Sequence, residues 1–146
     1  MKLIAETAWH HQGDYDFMKN LVSQIAVNTE ADIIKMHITL DFEEYMDPSH
    51  DAYTLLKPWL FDKEQWTELI EIVRNNNKQV MLLLNDIEAI KFGLSFEPEY
   101  IEIHSVCLND VFMLDELKKG LSSSIKVVLG VGGTSIDEID HAINFL

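Results

Sequence analysis

The sequence is short of basic residues: 11 lysines and arginines stand against 25 aspartates and glutamates, for a formal net charge of -14. Such a chain repels polyanions, which excludes nucleic acid and an anionic membrane surface as partners. A small anionic substrate is not excluded, because one lysine deep in a pocket outweighs a distant negative surface. Cysteine is almost missing. Cys107 is alone, which rules out an internal disulfide and a cysteine-built zinc cage, and it reads as a partly buried structural thiol. No apolar run approaches the roughly 20 residues that span a bilayer. Near the N-terminus Glu6 stands where a signal peptide would still be apolar, so the chain is expected to be cytoplasmic. There is no low-complexity linker and no internal repeat beyond an alternation of short apolar runs with helical periods.

That alternation is what the sequence does have, and it is the pattern of a parallel sheet covered by crossover helices. With 47% hydrophobic residues over 146 positions, one domain, or part of one, can bury a core of ordinary size. Strands are predicted over Lys2 to Ala8, Asp32 to Ile38, Gln79 to Leu84, Tyr100 to His104 and Ile125 to Leu129. A helix from Tyr15 to Val27 has Asp14 as its N-cap. A second starts at Asp62, where Gln65 completes a capping box. Shorter helices follow over Ile87 to Phe92 and Asp110 to Lys119, the latter closed by Gly120, and a last one begins after Ser135 with Glu138 in capping-box spacing. The segment from Thr39 to Leu60 is long for a βα connection and acidic; it reads as a solvated loop or as a lid over the strand ends.

Two folds have five βα units: the first part of a (β/α)8 TIM barrel, and a flavodoxin-like doubly wound five-stranded parallel sheet. The charges inside the strands favour the barrel. Glu6, Lys35 and Glu102 lie in the C-terminal halves of the first, second and fourth strands. Under a helix, each buried ion costs several kcal/mol unless paired. At a barrel mouth they face the reaction site. Strand alternation puts Glu6, Ala8 and His10 on one face, Lys35 and His37 on one face, and Glu102 and His104 on one face. Glu6, Lys35 and Glu102 are therefore expected together, at the C-terminal ends of the strands.

The opening Ile4 to Asp14, IAETAWHHQGD, is similar to the signature of the sialic acid synthase (N-acetylneuraminate synthase) family, Ile-Ala-Glu followed by Asn-His-x-Gly-Asp, with Glu6, His11 and Gly13 in place. Ala31 to Lys35 resembles the family's second strand, Ala-Asp-x-Val-Lys-Phe-Gln; Lys35 matches and His37 replaces the glutamine. In the fourth unit Ser105 and Asn109 match, but Glu102 takes the place of a lysine. The fifth keeps Gly132 and Glu138-Ile139, while Gly130 and Val131 replace hydroxyl residues. The third strand has Asp86 but not the family's Ser-Thr-Pro-Phe. The resemblance runs through the fifth helix, so residues 1–146 are expected to form a single partial barrel domain, without the remaining strands and without the family's usual C-terminal antifreeze-like domain.

The resemblance implies condensation of phosphoenolpyruvate with an N-acetylated amino sugar to a nonulosonic acid, by this chain as a fragment or divergent member; a catalytically inactive sugar-binding or scaffold relative is the alternative. Glu6 and Lys35 are the expected catalytic pair, Lys35 holding phosphate or carboxylate and Glu6 handling a proton or a sugar hydroxyl. The two also read as a structural ion pair. His11, His37, Ser105 and Asn109 are the expected substrate contacts, although Asn109 also reads as a cap of the fourth helix. The glycine-rich turn Gly130 to Thr134 reads as an anion-binding backbone or as a steric necessity. The family's divalent metal sits on histidines of later strands, beyond this chain, and no metal ligand is assigned here. His10, His11, His37 and His104 converge on the expected mouth and form the one candidate metal cluster; His50 and His141 read as surface residues. A homo-oligomer, or a longer chain around these units, is expected, since five strands leave two edges open.

Overall fold

The computed structural model describes residues 1–146. Strands β1 (Ile4–Glu6), β2 (Ile33–Ile38), β3 (Gln79–Leu84), β4 (Tyr100–Ile103) and β5 (Lys126–Leu129) form one all-parallel sheet in the order β1-β2-β3-β4-β5. Sequential order with every crossover on one side is the topology of a barrel, and it rejects the flavodoxin-like order, in which a later strand crosses to the far side of the first. These are the first five βα units of a TIM barrel.

Helices α1 (Tyr15–Asn28), α4 (Lys63–Asn75), α5 (Ile87–Leu94), α6 (Val111–Gly120) and α7 (Ile136–Phe145) follow the five strands, with two one-turn helices, α2 (Phe42–Tyr45) and α3 (Tyr53–Leu56), inside the β2–α4 connection. Their starts are written in the sequence. Asp14 accepts from Phe17 N–H, Asp86 from Ala89 N–H and Asp110 from Phe112 and Met113 N–H, while Asp62 with Gln65 and Ser135 with Glu138 form the two capping boxes. Gly120 is the last helical residue and not a left-handed cap; a Cβ there would meet Leu94 Cδ1 at 2.5 Å, so a larger residue would require the Leu94 side chain to move.

Alternation divides the strand residues between two faces. Ile34, Met36, Ile38, Val80, Leu82, Leu84, Ile101 and Ile103 point to the helices, and every one is fully buried among Met18, Val22, Trp66, Leu69, Ile90, Leu114 and their neighbours. Each such side chain contributes about 1.5–3 kcal/mol by leaving water, so this seam dominates the stability. The opposite, concave face carries Glu6, then Lys35 and His37, Met81 and Leu83, Tyr100 and Glu102, and Lys126 and Val128, by the strand registers. Leu3 lies before β1 and is exposed, and Val127 is beside Ile101 on the helix side, so neither joins the interior layer that Ile33, Met81 and Leu83 form. No helix is long and apolar enough to cross a membrane.

The connection from Thr39 to Leu60 is more ordered than an acidic loop. Asp41 caps α2, Phe42 and Tyr53 are buried against each other with ring centroids 5.2 Å apart, and Leu40 N–H donates to Asp86 Oδ2 at 2.7 Å. Its end packs on the β1–α1 turn, where Gly13 adopts φ +83° and a Cβ would meet Pro58 O and Trp59 Cα at 3.1 Å. Only glycine satisfies both that backbone and that approach.

Candidate functional site at the strand ends

Lys35 is the centre of an ion network on the concave face. Its Nζ lies 3.2 Å from Glu6 Oε2 and 2.8 Å from Glu102 Oε2, and His37 Nε2 donates to Glu6 Oε1 at 2.7 Å. The registers explain the geometry. Lys35 is level with Glu6 on the neighbouring strand, whereas Glu102 is level with Leu83 and therefore one interior row higher, so the lysine reaches up past β3 to meet it. The lysine and Glu102 side chains are 10% and 15% exposed and Glu6 is 44% exposed, which makes Glu6 the open arm of the network. The expected convergence of Glu6, Lys35 and Glu102 is present, and the lysine is committed to two carboxylates.

Burial pushes the Glu6 carboxyl up, but the hydrogen bond and charge of Lys35, joined by His37, outweigh it and hold Glu6 below its ordinary value. Burial lowers His37, and Lys35 lowers it further against the pull of Glu6, so the imidazole is neutral at pH 7 and gives its one N–H to the carboxylate. The network then carries two carboxylates and one ammonium, a net charge of minus one.

His11 is placed differently from a ligand-facing donor. It is 4% exposed, its Nδ1 accepts from Gly13 N–H at 3.0 Å, and its ring packs on Phe61 with centroids 4.4 Å apart. Burial first, then the nearby His37, lowers it to about 4. It works as the neutral acceptor that closes the β1–α1 turn. Ser105 begins a short 3-10 turn, Ser105–Cys107, at the end of β4, with its hydroxyl beside Gly132. Asn109 is exposed and donates to Glu138 Oε1 at 2.7 Å; the cap of α6 is Asp110.

Gly130 has a steric cause: a Cβ there would come within 2.7 Å of Ser105 N and 3.0 Å of Ile103 O. No three His, Cys, Asp or Glu side chains are placed to hold a metal ion. The four mouth histidines do not converge: His11 accepts from Gly13 N–H, His37 is bonded to Glu6, and His104 accepts from Val106 N–H, while His10 is exposed on the β1–α1 turn. The residues present therefore do not fit a metal site. His50 and His141 are exposed, as expected. Cys107 is buried, and burial together with Asp110, Asp86 and Glu44 raises its thiol to about 11, which leaves it inert.

Two features were missed in the sequence. Trp9 stacks on Tyr45 of α2 with centroids 6.3 Å apart and lies 6.3 Å from Trp59, so three aromatics from two loops join over the β1 side of the mouth. Asn85 and Thr39 extend the interior faces of β3 and β2 by one step, buried to 2% exposure, with Asn85 Nδ2 donating to Thr39 Oγ1 at 2.9 Å and Asn85 Oδ1 lacking any donor. Asn85 was legible as a polar residue in register with the interior face; the aromatic cluster depends on loop packing that has no periodicity.

A protein-family model described as the NeuB family matches residues 43–146. The chain belongs to the NeuB family. The match includes Glu102, Ser105 and Asn109, while Glu6, His11 and Lys35 precede it. Among curated proteins no sequence matches the chain. Among solved structures, the N-acetylneuraminic acid (sialic acid) synthetase from Leptospira borgpetersenii, in complex with citrate, superposes with a TM-score of 0.86 at 23% identity, over 98% of this chain and 48% of that one. A spore coat polysaccharide biosynthesis protein E from Chromobacterium violaceum gives 0.81 at 18% identity, over 98% and 44%. One from Bacillus subtilis gives 0.74 at 19% identity, over 99% and 39%. At these identities the likeness is one of fold, and the chain spans less than half the length of each.

Proposed function

We propose that this NeuB-family chain forms the sugar-recognising side of a sialic acid synthase-type barrel in carbohydrate biosynthesis, with the phosphate-holding side lost. The observation that carries this is the 2.8 Å pair between Lys35 and Glu102. In the family pattern two lysines would face the anionic substrate. Here the second is a carboxylate, and it also engages the first, so phosphoenolpyruvate meets a net negative floor. What persists suits a polyol: Glu6 as an exposed acceptor oriented by His37, and Ser105 as a neutral donor beside the glycine-rich turn. Asn109 joins the α6 and α7 starts, and His11 holds the turn that presents Glu6.

Titration followed by amide NMR tests this. An amino sugar should shift signals at the ends of β1, β2 and β4, phosphoenolpyruvate should shift none at millimolar concentration, and Glu102→Lys should restore a phosphoenolpyruvate response. Tight phosphoenolpyruvate binding by the unmodified chain, indifferent to that substitution, refutes the reading.

The condensation of phosphoenolpyruvate with an N-acetylated amino sugar is the second reading, favoured by the contiguity of Glu6, Lys35 and His37 on one face. It requires further barrel strands, from a longer chain or a second copy, and a divalent metal held outside residues 1–146. Phosphate release from phosphoenolpyruvate in the presence of N-acetylmannosamine, abolished by Glu6→Gln, would establish it.

A further inference from the structure

We propose that the two open ends of this sheet fit one another, so that a second copy of the chain docks with its β1 end against the β5 end of the first. The inference does not depend on what the mouth binds. Strand β1 pairs only with β2, and β5 only with β4, so each end carries a free parallel edge. Beside each edge runs a helix whose apolar flank is turned away from its neighbour. On α1, Tyr15 and Lys19 hold Glu68 of α4. The opposite flank, at spacing i, i+4, i+8, is Phe17, Leu21 and Ile25, with Phe17 47% exposed. On α7, Phe145 lies under Lys118 of α6. The opposite flank is Ile136, Ile139 and Ile143, with Ile136 72% and Ile143 57% exposed. Apolar side chains set beside an unpaired strand edge make a docking surface at each end.

Register and charge identify the occupant as a second copy. The strand pairings run Glu6, Lys35, Met81, Tyr100 and Lys126 into one row on the concave face. A second copy added in step with that row sets Lys126 of one chain beside Glu6 of the other. Glu6 is 44% exposed on a network of net charge minus one, and Lys126 is exposed, so the docked copy supplies the cation that the network lacks. The helix flanks agree. Asp140 lies one turn after Ile136 and just before Ile143, whereas Phe17 and Leu21 of α1 are bordered by the uncharged Gln24 and Asn28. Setting α7 against α7 would bring Asp140 and Asp137 onto their own copies, and setting β1 against β1 would bring Glu6 onto Glu6. Setting α7 against α1 brings isoleucines onto Phe17, Leu21 and Ile25 with no like charges opposed. The contact is therefore head to tail, the kind that closes into a ring or runs on.

Sedimentation velocity of the full chain at pH 7 tests this, with Ile143→Asp to spoil the β5 end and Phe17→Asp to spoil the β1 end. Both sites are exposed, and circular dichroism checks each fold; if aspartate unfolds either variant, Ile143→Ser and Phe17→Ser take their place. The unmodified chain should associate over roughly 1–100 μM. Every head-to-tail contact within a single variant includes one spoiled end, so each variant alone should associate at least about tenfold more weakly, the effect of one charge set into an apolar contact. An equimolar mixture should form a one-to-one pair and stop there, because the sound β5 end of Phe17→Asp meets the sound β1 end of Ile143→Asp. Lys126→Glu should also weaken association, more at low salt than at high. A monomeric unmodified chain overturns the inference and leaves the two ends to further βα units. Variants weakened alone that do not pair when mixed show contact between like ends and overturn it as well, as do variants that associate like the unmodified chain.

Discussion

Replacing Lys35 by methionine keeps the aliphatic stem and removes the one charge that the interior network depends on. Two ion pairs are lost, and they are not equal. The Lys35–Glu102 pair is 10% and 15% exposed, and removing one partner of a buried pair costs about 3–5 kcal/mol, because the other charge is left without compensation. Glu6 is 44% exposed and keeps His37 and solvent, so its share is closer to the roughly 0–1 kcal/mol of a surface pair. Because the concave face is open to water near Glu6, the total belongs at the lower end, about 3 kcal/mol at pH 7. The sign with pH separates this from a packing defect. In the unmodified chain Glu6 is depressed, so its contribution is present above its unfolded value and fades as pH falls through the folded one. In Lys35→Met the hydrogen bond and charge of Lys35 are gone and only His37 still opposes the upward push of burial on Glu6, so the depression that favoured the ionised carboxylate shrinks. The deficit should therefore narrow on going from pH 7 to about pH 4.5, near the ordinary glutamate value. Urea unfolding of both proteins at the two pH values measures it. A deficit of equal size at both, or none at pH 7, would refute the electrostatic account.

Three further outcomes are expected. His11 is lowered from 6.5 to about 4, so the unfolded chain takes up a proton between those values and the folded one does not; stability should fall as pH drops across that window, by up to about 3 kcal/mol. His11→Phe should flatten the slope, and NMR should find no His11 titration above pH 5. Gly130→Ser, which restores a hydroxyl at that position, should cost about 1–3 kcal/mol in thermal unfolding, because its Cβ meets backbone and not a movable side chain. Light scattering should find the chain associated, since β1 and β5 each present an unpaired edge and α7 exposes Ile136 and Ile143; a non-associating monomer that unfolds cooperatively would contradict this.

Period and caps made most of the fold legible. The third strand was read to the residue, Gln79–Leu84, because its apolar run stops at Asn85-Asp86. Four of the five long helices were found from an Asp or Ser at their start, α5 was placed without its Asp86 cap, and boundaries drifted by one or two residues at several ends, β1 losing two at each. Charge placement made the candidate site half legible. Alternation put Glu6, Lys35 and Glu102 on one face, but strand order and register were needed to learn that Lys35 touches both carboxylates. Order inside the Thr39–Leu60 connection was not legible, because α2 and α3 are single turns held by Phe42, Tyr53 and the reach of Asp86, and single turns leave no periodic trace. His11 was read as a substrate contact from its motif position alone; its burial under Phe61 and Trp9 is tertiary and invisible to spacing.

The positions that depart from the family pattern share a physical property. Glu102, Gly130 and Val131 all belong to the concave face or to the turns above it, and the residues that hold the sheet to its helices, Ile34, Met36, Leu82, Leu84, Ile101 and Ile103, lie on the other side of the same strands. A period of two therefore separates chemistry from stability along one chain: a charge reversal at Glu102 leaves Ile101 and Ile103 untouched in the core. Within the concave face the changes are not independent. With Glu102 drawn to Lys35, the interior row above β3 has no unpaired cation, and with Gly130 seated against Ser105 N, the turn that would have carried a hydroxyl lies close on the end of β4. An anionic substrate loses its attraction and one of its donors in the same corner. Reversal of Glu102 alone restores the first and not the second, so Glu102→Lys should bring back anion binding weaker than two facing lysines and a hydroxyl turn would give.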